Sequence, residues 1–269
     1  MAPTEVPQRI ELTPANIPDA EKLSIEAGWN QTAADWAVFI KYGKVFGLLT
    51  QDRLVATAAV LPYGEEFGWI SMVIVTAAWR LRGLARRLTG DCIENLRSAG
   101  RAALLDATQD GAAVYAALGF APLCTMQRWT GTGRGNAPVP RHDEPARLDA
   151  EAFGADRGFL LGNFLSRPGA AAVTRPGGFA LLRPGRLATQ IGPIVAPDAD
   201  RARDLLDAAI DAASGPVIVD ILQQGATLAP RLEAAGFAHR RSFLRMALGR
   251  DRLPGVPARL LAAAGPEFG

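Results

Sequence analysis

The sequence is poor in the residues that build metal centres and disulfide frameworks. It holds two cysteines and two histidines in 269 residues. Cys92 and Cys124 stand in no CxxC or Cys/His spacing, so neither a zinc site nor a disulfide scaffold is expected, and no metal cofactor is called for. A reduced, cytoplasmic setting is the expectation that goes with so few cysteines. His142 and His239 are isolated in sequence, and no Ser/His/Asp or Cys/His set for covalent catalysis stands out. An excess of one charge is missing too: 29 Lys and Arg face 27 Asp and Glu, a net charge of +2. Dedicated nucleic-acid binders carry a strong basic excess, so any basic patch here must be local. No apolar run reaches the roughly 18 residues of a membrane span. The opening MAPTEVPQRIELTP lacks the basic and apolar regions of a secretory leader. What is there is 49% hydrophobic and 21% charged, a composition typical of soluble globular proteins, and long enough for two ordinary domains or one large one.

Alternation and turn residues predict strands at 9–13, 44–50, 54–61 and 67–76. Helical spacing appears at 19–27 and 32–42, with Ile25, Trp29, Trp36, Phe39 and Ile40 as apolar anchors. The segment 83–98 is the clearest amphipathic helix, with Leu84, Leu88, Cys92, Ile93 and Leu96 on one face and Gly100 ending it. A strand at 102–107, a short helix at 112–118 and a strand at 123–130 follow. The Gly- and Pro-rich GTGRGNAPVP at 131–140 reads as a linker, with the charged RHDE at 141–144 as its solvated end. His142 in that segment could serve as a base or ligand, or belong to the solvated end.

The second half repeats the order more faintly. Helical spacing at 149–164 precedes strands at 170–174, 179–182 and 187–195, a helix at 198–213, a strand at 216–221, a helix at 228–235 and a final strand at 241–248. LLDA at 104–107 with LGF at 118–120 matches VIVD at 217–220 with AGF at 235–237. A period of about 115 residues indicates a duplicated domain rather than a solenoid. The expected division is 1–132 and 147–269, joined by a linker at 133–146.

The stretch WRLRGLARRL at 79–88 joins the apolar run ISMVIVT at 70–76 to the amphipathic helix. The first N–H groups of a helix have no intrahelical partner, and the helix dipole adds positive potential there. Gly83 permits a tight turn and removes a Cβ from an anion's path. Leu81, Leu84 and the small Ala85 complete the loop, and Arg80, Arg82 and Arg86 can add charge-assisted hydrogen bonds. A pyrophosphate cradle fits these residues. An ordinary helix with a basic face fits them equally well.

Three features in order resolve that choice by resemblance. RLRGLA at 80–85 resembles the R/Q-x-x-G-x-G/A signature of the GNAT superfamily of acyl-CoA-dependent N-acyltransferases. The strand MVIVT at 72–76 falls where that family has its fourth strand, and YAALGF at 115–120 is similar to its Y-x-x-x-G-F element. The resemblance covers residues 8–130 and implies an α/β (α+β) GNAT acyl-CoA N-acyltransferase fold. With the fainter second half, the chain resembles the two-domain YitH/HolE type, a tandem duplication with a degenerate C-terminal GNAT-like half. It further implies acetyl-CoA as cosubstrate, with its pyrophosphate on Arg80, Leu81, Arg82, Gly83, Leu84, Ala85 and Arg86. Its pantetheine arm would pair with backbone near Val73 and Val75. Ala85 stands where many relatives have glycine, a variation the pattern allows.

Tyr115 is the expected catalytic acid. A departing thiolate has a conjugate pKa of about 8.5, and a tyrosine of about 10 can protonate it. The other reading of Tyr115 is a helical side chain packed beside Phe120. Glu65, Glu66 and Asp106 are candidates for the base that accepts the amine proton; each can also be a solvated charge or structural acceptor, and a water chain can replace them. Trp29, Trp36 and Trp79 could line an acceptor pocket or fill the core. Aligned without gaps on Val75 and Val195, the second half puts Asp200 at the place of Arg80 and Arg203 at that of Gly83. It is therefore not expected to bind acetyl-CoA, and is expected to wall the acceptor site. The leading reading is an N-acetyltransferase acting on a small-molecule or peptide amine by direct attack. The alternative is a non-catalytic acyl-CoA-binding or regulatory protein. Nucleic-acid and membrane partners are not expected.

Overall fold

The computed structural model describes residues 6–136 and 145–269. His142 and the middle of the 133–146 linker lie outside the described residues. The chain forms two compact units, one ending at Leu105 and the other beginning at Asp106.

The first unit runs β1 (Gln8–Glu11), α1 (Ile17–Glu26), α2 (Ala33–Tyr42), β2 (Lys44–Thr50), β3 (Arg53–Tyr63), β4 (Phe67–Val75) and α3 (Leu84–Ser98), and it ends within β5 (Ala102–Thr108). Strands β1 to β4 pair antiparallel in sequence order, and β5 joins β4 in parallel. Gln51 and Asp52 both have positive φ, at 46° and 60°, as a two-residue hairpin loop requires. The start of α2 is fixed by a reciprocal cap in which the Thr32 amide donates to the Asp35 carboxylate at 2.8 Å. Helix α3 buries Leu84, Leu88, Cys92 and Leu96, and Gly68 has no Cβ because the Leu96 side chain fills that space. Trp36, Phe39 and Trp69 are fully buried in this unit. Of the expected anchors, Trp29 and Ile40 are half-buried and Ile25 faces solvent.

Two irregularities shape β4. Ala59 pairs with Ser71 but Thr57 pairs with Ile74, so one extra residue bulges out of β4. Met72 takes φ 51° there, and its carbonyl accepts from the Thr57 hydroxyl at 2.9 Å. The pairing of β4 with β5 runs from Phe67↔Ala102 to Trp69↔Leu104 and stops. Beyond it no further β4–β5 pair forms.

The second unit continues with α4 (Gln109–Ala116), β6 (Ala121–Arg134), α5 (Pro145–Phe153), α6 (Gly158–Leu165), β7 (Ala171–Arg175), β8 (Gly178–Pro184) and β9 (Thr189–Val195). Then come α7 (Ala199–Ala212), β10 (Ser214–Leu222), α8 (Ala229–Ala234), β11 (Ala238–Leu248) and β12 (Leu260–Ala262). Its sheet order is β11-β6-β10-β12-β9-β8-β7.

Several expectations need correction. Residues 131–134 are strand, not linker: a Cβ on Gly131 would stand 2.5 Å from the Phe237 ring, and one on Gly133 would strike the Ala213 carbonyl. These glycines permit close approach rather than flexibility. The helical stretch at 149–164 is two helices, parted where Gly154 takes φ 89° against the backbone of Gly255. Strand β11 is not the last, because the short β12 follows.

The repeats interlock within the second unit. Superposing Gly119-Phe120 on Gly236-Phe237 matches Arg128 with Arg245, and setting LLD at 104–106 on IVD at 218–220 matches Asp106 with Asp220. Each carboxylate is held by the arginine of the other repeat. Arg245 grips Asp106 through two bonds of 2.8 and 2.9 Å, and Arg128 grips Asp220 through two of 2.8 Å. Gln190 adds a third bond to Asp220 at 3.0 Å. The Asp106 and Asp220 side chains are fully buried. Strand β6, which bears Arg128, pairs antiparallel with β10 and with β11, the strand of Arg245.

Breaking a buried pair by removing one partner leaves an uncompensated charge, at a cost of about 3–5 kcal/mol. Arg245→Met should therefore lower unfolding stability by that amount in urea titrations. The double variant Arg245→Met/Asp106→Leu should recover most of the loss.

Candidate active site

The site begins at the end of β4. Val73 and Val75 are half-buried and lie past the last β4–β5 pair. The Arg80 Nε donates to the Val75 carbonyl at 3.1 Å, tying the loop to the strand it leaves. A 3-10 turn at Ala77–Trp79 follows, with Trp79 buried and the Arg82 guanidinium 4.8 Å over its ring. Leu81 has φ 61° and is fully exposed, an uncommon conformation for a bulky residue. Gly83 is the N-cap of α3 at φ 75°, and a Cβ there would meet nothing within 4 Å.

The N-terminus of α3 is open. No side chain caps it and its first turn holds no acidic residue. Arg80, Arg82 and Arg86 are exposed around it and Ala85 is half-buried. Outward-facing N–H groups, a helix dipole and arginines make an anion seat. One carboxylate from elsewhere in this unit reaches the loop. Glu26 accepts from the Thr76 hydroxyl and the Ala77 amide, a contact that sequence reasoning did not foresee and that no local signal announces. Beside it opens a cavity of about 520 Å³ lined by Leu23, Glu26, Arg53, Val55, Thr76 and Trp79.

The corresponding place in the second repeat is closed. Helix α7 begins only four residues after Val195, and its N-cap is Asp198, which accepts from the Arg201 amide at 2.8 Å. The gapless alignment that set Arg203 on Gly83 is therefore displaced: cap for cap, Asp198 stands where Gly83 does. Strand β9 keeps the extra residue of β4, between the Ala180↔Ile194 and Leu182↔Ile191 pairs. Beyond the β9–β10 pairs, however, the chain itself adds a strand. Strand β12 pairs with β9 at Leu260↔Val195 and with β10 at Ile221↔Ala262. Among the described residues no strand is inserted between β4 and β5.

The other expected site residues lie elsewhere. Glu66 is exposed in the β3–β4 turn, at the start of β4. At about 3.3 Å per residue it lies a full strand length from the cradle. Glu65 shares that turn. Asp106 is enclosed and its oxygens are taken by Arg245; burial pushes its carboxyl up from the ordinary value against the pull of Arg245. It holds strands together rather than facing substrate. Tyr115 sits half-buried on α4, its ring edge-on to Phe120 at 6.1 Å. Thr108 caps that helix, accepting from the Gly111 amide at 3.2 Å. Trp36 is a core residue whose Nε1 donates to Ser24 at 3.1 Å. No group of metal-ligating side chains assembles among the described residues, and none of their helices is long and apolar enough to cross a membrane.

Comparison with known proteins matches the chain twice. Residues 14–120 match the acetyltransferase (GNAT) family and residues 146–262 match an acetyltransferase (GNAT) domain. The chain is similar to the uncharacterized N-acetyltransferase YitH of Bacillus subtilis (strain 168), with 25% identity over 251 residues, spanning 86% of this chain and 88% of that one. Among solved structures, a putative acetyltransferase from Pyrococcus horikoshii aligns over 100% of this chain and 99% of its own with TM-score 0.85 and 18% identity. A tandem GNAT protein from the clavulanic acid biosynthesis pathway aligns over 90% of this chain and 98% of its own, with TM-score 0.60 and 13% identity.

The two helix starts should respond differently to truncation. Asp198→Ala should cost about 0.5–2 kcal/mol through loss of its cap, read as a lowered melting temperature. Arg86→Ala, at the uncapped end, should leave the melting temperature nearly unchanged.

Proposed function

Because this chain belongs to the GNAT family of acetyltransferases and carries two of its domains in tandem, it is an acyltransferase, and we propose that it moves an acetyl group from acetyl-CoA to an amine by direct attack. The observation that carries this reading is the open N-terminus of α3, with Gly83 at positive φ, clear space above it and no acidic cap.

In this reading the N–H groups at 83–86 and the side chains of Arg80, Arg82 and Arg86 hold the pyrophosphate. The backbone of Val73 and Val75 pairs with the pantetheine amides beyond the last β4–β5 pair. The bound donor supplies an activated thioester carbonyl. The neutral amine of the acceptor attacks that carbon, so that a C–N bond forms as the C–S bond breaks. Tyr115 gives its phenolic proton to the departing sulfur, and water takes the proton from nitrogen. Asp106 is assigned to the scaffold, since Arg245 occupies both its oxygens. The acceptor is a small-molecule or peptide amine, and the setting is the cytoplasm.

We read residues 1–132 as the catalytic repeat, 133–146 as the connection and 147–269 as the non-binding repeat. The match limits of 14–120 and 146–262 support that division of the duplication. The Asp198 cap and the pairing of β12 with β9 support the loss of donor binding in the second repeat.

Calorimetry on the full chain should give one acetyl-CoA per molecule, and Gly83→Glu should abolish that binding. Absence of binding by the folded wild type would overturn the assignment. Tyr115→Phe should lower kcat by about a hundredfold, the lower range for loss of a general acid, with acetyl-CoA affinity unchanged. Unaltered turnover would remove Tyr115 from the mechanism.

A further inference from the structure

The turn that leads from β4 into the cradle is held from outside by one carboxylate. Glu26 is the last residue of α1. Its Oε1 accepts from the Ala77 amide at 2.8 Å, and the Thr76 hydroxyl lies 2.8 and 2.7 Å from its two oxygens. The Ala77 amide above all, then the Thr76 hydroxyl, with Arg80 and Arg53 nearby, hold the Glu26 carboxyl below its ordinary value. It stays ionised at neutral pH.

Two features separate this contact from ordinary helix chemistry. An acid at a helix C-terminus opposes the helix dipole, and the last turn of α1 holds no basic residue to offset it. Glu26 is therefore poorly placed for α1 itself. A negative charge beside an anion seat also works against anion binding through space. What the carboxylate offers is geometry, as a double acceptor at the first two residues after β4.

We propose that Glu26 is a positioning residue for the acyl-donor site, fixing the direction in which the chain leaves β4 and so the alignment of the N–H groups at 83–86. The inference rests on the reading that a coenzyme A pyrophosphate binds that cradle. The loop from Thr76 to Gly83 is tied elsewhere by the Arg80 bond to Val75, the burial of Trp79 under the Arg82 guanidinium, the Trp79 amide bond to the Thr76 carbonyl, and the Thr76 amide bond to the Val55 carbonyl at 2.9 Å. It must also keep Leu81 and Gly83 at positive φ. Without the clamp, binding has to order the loop, and that cost appears as lost affinity.

The test compares Glu26→Ala and Glu26→Gln in the full chain, using calorimetric titration with coenzyme A and thermal melts. Glutamine retains an acceptor for Ala77 and can donate to Thr76 while removing the charge. Alanine should weaken coenzyme A binding about tenfold, as expected for loss of hydrogen bonds to a charged group, with little change in melting temperature. Glutamine should bind as well as wild type or better. In turnover assays, alanine should raise KM for acetyl-CoA and spare kcat. Thr76→Val, which removes one donor without touching α1, should give a smaller loss of the same kind. Equal affinity for wild type and both Glu26 variants would overturn the proposal. So would tighter binding by both variants, which would mark Glu26 as a repelling charge only. No binding by the wild type would overturn the donor-site reading and this inference with it.

Discussion

Burying a carboxylate is costly unless a partner is supplied with good geometry. In the second unit two aspartates are buried at equivalent points of a duplication, and each is answered by an arginine from the other repeat. Much of the layout follows from that requirement. Strand β6 lies beside β10, where Arg128 reaches Asp220, and Arg245 on β11 reaches Asp106 in the second half of β5. Asp106 lies near the end of β5, two residues before Thr108 caps α4. The pair thus anchors the start of the helix that presents Tyr115. The glycines at 131 and 133 belong to the same design, because β6 can lie against Phe237 and Ala213 only without side chains there.

The repeats kept a common frame while diverging at one kind of place, the start of the helix after the bulged strand. In the first, glycine caps the helix and arginines surround it. In the second, Asp198 occupies the same amides with its own carboxylate. A fixed internal anion and an exchangeable external one compete for the same donors, so a single cap residue decides whether a helix start can take a ligand. The strand pairing shows the same logic. Backbone groups left over by the bulge in β9 are satisfied by β12, whereas those of β4 lie beyond the reach of its β5 pairing.

Much of this was legible in the sequence because it is local. The element order, the amphipathic face of α3, the cradle motif and the Gly-Phe repeat all depend on neighbours within one or two turns. The failures share a different cause. Gly131 and Gly133 looked like linker residues because composition does not distinguish a glycine that bends from one that lets another chain segment approach. The Asp198 cap was missed because the loop before α7 is shorter than the one before α3, and a gapless alignment cannot register that. Asp106 looked like a base because its partner stands 139 residues away. Glu26 gave no signal at all, since Thr76 is 50 residues further on. Three residues of strand at 260–262 are too few to show a period.

The exchange of partners also sets a clock on biosynthesis. A ribosome adds about 5–20 residues per second, so the 139 positions between Asp106 and Arg245 keep the aspartate waiting on the order of ten seconds for its arginine. Arg128 waits a comparable time for Asp220, 92 positions on. During that interval the nascent first repeat carries an unmatched carboxylate and an unpaired strand, both of which favour water over a closed core. The two ion pairs therefore close late in synthesis, the second only once Arg245 has been added.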